Sequence, residues 1–168
     1  ADAVIQTCCL KTHRFGGDFS LSMKNLIGVV AGRDPWGGYN YMAELHASPH
    51  QRRMIAEVSR FCPCDIAILD ATEGFSTGGP ERGDIIEPEV MFASTDLVAL
   101  DAVGVALLRL YGSTPEVMKG RIFDMDQIAR ATELGLGVKS AQDLRLVALD
   151  SDSKDLTIDI RRILDETG

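Results

Sequence analysis

Short apolar runs alternate along this chain with stretches that repeat at helical spacing, and that alternation limits the folds open to it. Residues 3–9 read as a buried strand, as do Ile66-Ala67-Ile68-Leu69, which end at Asp70. Residues 88–93 form a third such run, ending at Ser94-Thr95-Asp96, and residues 144–149 the last. Between residues 20 and 30, Met23, Leu26, Ile27 and Val30 fall at i, i+3, i+4 and i+7, which predicts a helix. Ser48-Pro49 has the cap-then-proline order of a second helix running to about Phe61. Leu97 to Leu110 is apolar nearly all round, the pattern of a buried helix. Residues 123–134 form another, stopped by Gly135 and Gly137. Strands alternating with helices predict an α/β fold: three layers, a largely parallel sheet, and helices on both faces.

The chain has 168 residues, which suits one domain over residues 1–150. Residues 151–168 are expected as a tail, helix or strand, packed on or extending that domain. Ala1-Asp2 opens at once into the apolar Ala3-Val4-Ile5, so an N-terminal part is expected to precede this span. A formal charge of -8 argues against nucleic acid or anionic lipid as partners, since both need a basic face. No apolar run approaches the roughly 20 residues that span a bilayer, so no membrane partner is expected. The four cysteines, Cys8-Cys9 and Cys62-Pro63-Cys64, lack the spacings of zinc ribbons or iron–sulfur sites. Adjacent strand side chains point to opposite faces, so Cys8 and Cys9 cannot easily share a metal. They read as small core residues in a reducing compartment, which places the chain in the cytoplasm.

In a parallel sheet the site lies beyond the carboxyl ends of the strands. Lys11-Thr12-His13 opens a polar loop after the first strand, and Asp70 and Glu73 follow the second at the head of a glycine-rich loop over 71–84. Ser94-Thr95-Asp96 follows the third. Lys11, Lys24, Asn25, Ser94 and Thr95 are therefore expected to bind a small anionic molecule through cations and N–H donors. His13 is the candidate acid/base, and Asp70 and Asp101 are the candidate general-base or divalent-metal carboxylates. Each has a plainer alternative. Lys11 and Lys24 would neutralise Asp70, Glu73 or Asp96, His13 would simply be hydrogen-bonded, and Asp101 would make a buried salt bridge or helix cap. His46 and His50 stand four apart, but a helix start between them breaks the shared face. The Gly78–Gly83 run is neither a Walker loop nor GxGxxG.

An ordered series of motifs resembles the family known as domain of unknown function 362. It comprises Lys11-Thr12-His13, Lys24-Asn25-Leu26-Ile27-Gly28, Asp70 and Gly79-Pro80…Gly83. It continues through Ser94-Thr95-Asp96…Ala99-Leu100-Asp101 and Gly135-Leu136-Gly137, covering about residues 1–150. The proline usual after Ser-Thr-Asp is Leu97 here, a change at a helix start. Many relatives carry ferredoxin-type cysteine motifs that this chain lacks, so the resemblance implies a ferredoxin-type partner and no cluster within this chain. It implies no settled activity. The readings are an enzyme or binding domain for a small anion, a redox or iron–sulfur accessory module, and a non-catalytic scaffold.

Overall fold

The computed structural model describes residues 2–14 and 17–168. Its sheet is built from β1 (Ile5–His13), β2 (Gly17–Ser20), β3 (Ile66–Phe75), β4 (Ile85–Ile86) and β5 (Val90–Ser94). β3 is central. β1 pairs with it in parallel on one side, and β4 and β5 pair with it antiparallel on the other. β2 turns back antiparallel onto Lys11–His13 of β1. The sheet is thus mixed, which corrects the largely parallel arrangement expected. The reason lies in the connections: parallel neighbours are usually joined by a helical crossover. Helical residues separate β1 from β3, whereas the chain between β3 and β5 holds only a loop and the two-residue β4.

The helices are α1 (Ser22–Leu26), α2 (Tyr41–Ala47), α3 (Gln51–Ser59), α4 (Leu97–Leu110), α5 (Pro115–Met118), α6 (Asp126–Glu133) and α7 (Ser153–Thr167). A 3-10 turn over Ile27–Val29 continues α1, and another at Ile122–Asp124 leads towards α6. α4 matches its expected bounds and is buried at every position from Val98 to Arg109. α1, α6 and α7 pack around it. The tail is helical, burying Ile160 and Leu164. Leu144 to Leu149 is not a strand. Arg161 of α7 donates to the carbonyls of Ala141, at 2.8 Å, and Leu144, so these groups are held by a side chain rather than a sheet neighbour. No helix among the described residues is long and apolar enough to cross a membrane.

Burial alternates along the strands, as period-2 geometry requires. Gln6, Cys8, Leu10 and Thr12 of β1 face the helical core with Ala67, Leu69 and Ala71 of β3. Ile5, Thr7 and Cys9 face the other way, and on that face Ile5 and Met91 are 63% and 60% exposed.

β1 and β3 run further than expected, so Lys11, Thr12, His13 and Asp70 lie within strands rather than after them. The β1–β3 register steps from Cys9↔Asp70 to Leu10↔Gly74, leaving Ala71, Thr72 and Glu73 as a bulge. Only glycine suits the re-entry point: a Cβ at position 74 would lie 2.4 Å from the Leu10 carbonyl oxygen.

Candidate anion-binding site

β2 covers only the last residues of β1, leaving the edge before them open. α1 is tied to that edge by Asn25, whose side-chain amide donates to the Thr7 carbonyl at 3.0 Å and to the Gln6 side-chain oxygen at 2.9 Å. These bonds satisfy strand-edge acceptors and also fix the neighbouring Lys24 beside β1. Lys24 and Lys11 consequently line one cavity of about 250 Å³, together with Cys9, Ser20, Asn25 and Gly28.

Lys11 and Lys24 are the half-buried lysines of this chain; Lys119, Lys139 and Lys154 are exposed. The ion pairs of the described residues are all made by arginine, and neither cavity lysine has a carboxylate within 4.0 Å. The expected alternative, in which they neutralise Asp70, Glu73 or Asp96, is therefore not what the side chains do. Burial lowers the Lys24 ammonium to about 8, and the charges of Arg52 and Lys11 push it the same way. A small anion between the two lysines would relieve both effects.

The support beneath α1 is a buried polar network. The Asp101 carboxylate of α4 accepts from the Ser22 amide at 2.7 Å, the Ser22 hydroxyl at 2.5 Å, the Met23 amide at 3.4 Å and the Gln127 side-chain amide at 3.0 Å. Gln127 in turn accepts from Arg52 Nη1 at 3.0 Å, and the same Nη1 donates to the Phe19 carbonyl at 2.6 Å. Burial raises the Asp101 carboxyl to about 6, against the lowering effect of its donors. Asp101 thus closes the start of α1 from the core, matching the cap alternative. It does not line the lysine cavity, so the structure does not bring it together with Lys11 and Lys24.

Asp70 belongs to a larger neighbouring cavity of about 770 Å³ that shares Cys9 and Lys11 with the first and also contains Glu73, Glu87 and Glu89. Thr72 donates to Asp70 through its amide (2.9 Å) and its hydroxyl (2.7 Å), holding the carboxylate below its usual range.

His13, Ser94 and Thr95 fall elsewhere. His13 is buried, lines a separate cavity with Arg14, Asp18 and Glu116, and has its ring 6.2 Å from that of His46. Because β5 runs antiparallel, Ser94 pairs with Ala67 at the start of β3, the opposite end from Lys11. The Ser94 hydroxyl accepts from the Asp96 amide (2.9 Å), and Asp96 caps α4 by accepting from Ala99 at 2.9 Å. Thr95 shares a different cavity with Ser59, Cys62 and Cys64. Among the described residues no group of three or more His, Cys, Asp or Glu could hold a metal ion.

One contributor was not singled out from the sequence. Arg52 sits on the same helical stripe as Ile55, Ala56 and Ser59, all buried, so a cation on an apolar face was the available signal. Cys9, expected as a small core residue, is instead exposed and lines the cavity, because it points to the opposite face of β1 from the buried Cys8.

The sequence profile of the family described as Domain of unknown function (DUF362) matches residues 1–106. The thylakoid-associated protein sll1697 of Synechocystis sp. (strain ATCC 27184 / PCC 6803 / Kazusa) is 30% identical over 118 residues, covering 70% of this chain and 36% of that protein. The matched span is therefore about a third of that relative's length. No solved structure matches the chain.

Proposed function

The chain belongs to the domain of unknown function 362 family, and we propose that it binds a small anion, a carboxylate or phosphate, between Lys11 and Lys24. One observation carries this reading. Both half-buried lysines line the same cavity, and neither has a carboxylate partner among the described residues. The Lys24 ammonium, partly withdrawn from water beside other cations, is unfavourable unless something of opposite charge joins it. Asn25 and Ser20 supply neutral polar groups at the rim, and Gly28 leaves room, since a Cβ there would meet nothing within 4 Å.

The reading is one of binding. His13 and Asp101 have surroundings of their own, and Asp70 lies next door, so no reaction is assigned to the three. Calorimetric titration with inorganic phosphate and with citrate tests it. Saturable binding that weakens about tenfold in Lys11→Met and in Lys24→Met is expected, in line with a charge-assisted hydrogen bond to each ammonium. Binding unchanged by both substitutions contradicts it.

A further inference from the structure

We infer that Lys24 is a nucleophilic amine that condenses with the carbonyl group of a small anionic carbonyl compound, such as a 2-oxo acid, whose carboxylate is held by Lys11. This rests on the anion-binding reading and narrows its ligand class.

The geometry supplies the parts. Lys24 is half-buried on a helix pinned from two sides, by Asn25 to the β1 edge and by Asp101 to the core. Its cavity partner Lys11 stands on the adjoining strand and lines the same cavity, which offers a second cation for the anionic end of the ligand. A cavity of about 250 Å³ accommodates a molecule of a few heavy atoms. Among the described residues no carboxylate pairs with Lys24 to hold its proton. The charged groups acting on it, Lys11 of β1 and Arg52 of α3, are both cations, and with burial they lower its ammonium to about 8. A desolvated lysine beside a second cation keeps a usable fraction of free amine near neutral pH. The exposed Lys119, Lys139 and Lys154 lack that setting.

The step balances without a further reactant. The Nζ lone pair attacks the carbonyl carbon, a C–N bond forms, and the C=O π pair moves to oxygen, which takes up one of the two protons of the amine. The C–O bond of the carbinolamine then breaks, and the hydroxyl leaves as water with the remaining N–H proton, which leaves a C=N bond. No oxidation state changes.

Reductive trapping tests this on the whole chain. Pyruvate with cyanoborohydride at pH 7.5 should give one adduct by intact mass, mapped to Lys24 by peptide analysis. Inorganic phosphate should suppress it, and Lys11→Met should slow it about tenfold. Lys24→Arg should abolish it, with circular dichroism showing that the variant is folded. Adducts spread over the exposed lysines, or formed on Lys11 instead, overturn the inference. Calorimetry with phosphate on the same preparation separates the two claims. Phosphate binding without pyruvate trapping overturns the Schiff base and leaves the anion site standing, whereas absence of both overturns both.

Discussion

The carboxylate of Asp101 receives both the backbone amide and the hydroxyl of Ser22, at 2.7 and 2.5 Å, across 79 residues of sequence. That contact clamps the first turn of α1, and α1 carries Lys24 and Asn25. A buried helix therefore sets the position of a lysine at the sheet edge. Replacing Asp101 with alanine strands the Ser22 and Gln127 donors in the core and should cost about 3 kcal/mol of stability, read from urea denaturation.

The same group has a pH signature. Its folded-state carboxyl is raised from 3.8 to about 6, so between those values the native state binds the proton that the unfolded chain releases. Its stabilising contribution is full below pH 3.8 and is lost as pH rises through 6. An Asp101→Asn variant, which cannot titrate, should show a flatter stability profile over that window than the wild type.

Lys24 has the opposite slope. Its ammonium is lowered from 10.5 to about 8, so above pH 8 the native state has shed a proton that the unfolded chain retains. Stability from this group should rise as pH goes from 8 towards 10.5, and Lys24→Met should lack that rise. Melting temperatures of both proteins at pH 7.5 and 10 test this.

Gly74 re-forms the β1–β3 pairing after the bulge, with its backbone against Leu10. Alanine there would place a methyl 2.4 Å from the Leu10 carbonyl oxygen, and backbone cannot yield as a flexible side chain does. Gly74→Ala should lower stability by about 2–4 kcal/mol, measured by chemical denaturation.

The adjacent cysteines should react very differently. Burial and the nearby Asp101 charge push the Cys8 thiol up from 9.0 to about 12, whereas Cys9 is exposed on the open face. The shift alone lowers the Cys8 thiolate fraction about a thousandfold. Mass mapping after brief iodoacetamide treatment should find Cys9 labelled in the native protein and Cys8 only after unfolding.

Some of this was legible in the residues and some was not. The all-round apolar character of Leu97 to Leu110 announced α4, and an aspartate inside that run announced a buried, partnered carboxylate. Strand direction has no local signature, so nothing in Val90 to Ser94 revealed that β5 would run antiparallel and carry Ser94 and Thr95 to the far end of the sheet. Lys11 and Asp70 looked like loop residues because a strand with one open face tolerates polar side chains on it. Leu144 to Leu149 had a strand's composition, but Arg161 took up the Leu144 carbonyl at its start. The lysine cavity needed two separate elements to meet, and only Asn25 next to Lys24 hinted at the tether.

The central claim is that Lys11 and Lys24 form one anion site. A phosphate titration of the wild type and of the Lys11→Met/Lys24→Met double variant tests it most directly. Saturable binding with one site per chain in the wild type, lost in a folded double variant, is the predicted result; equal binding by both proteins, or none by the wild type at millimolar phosphate, would contradict it.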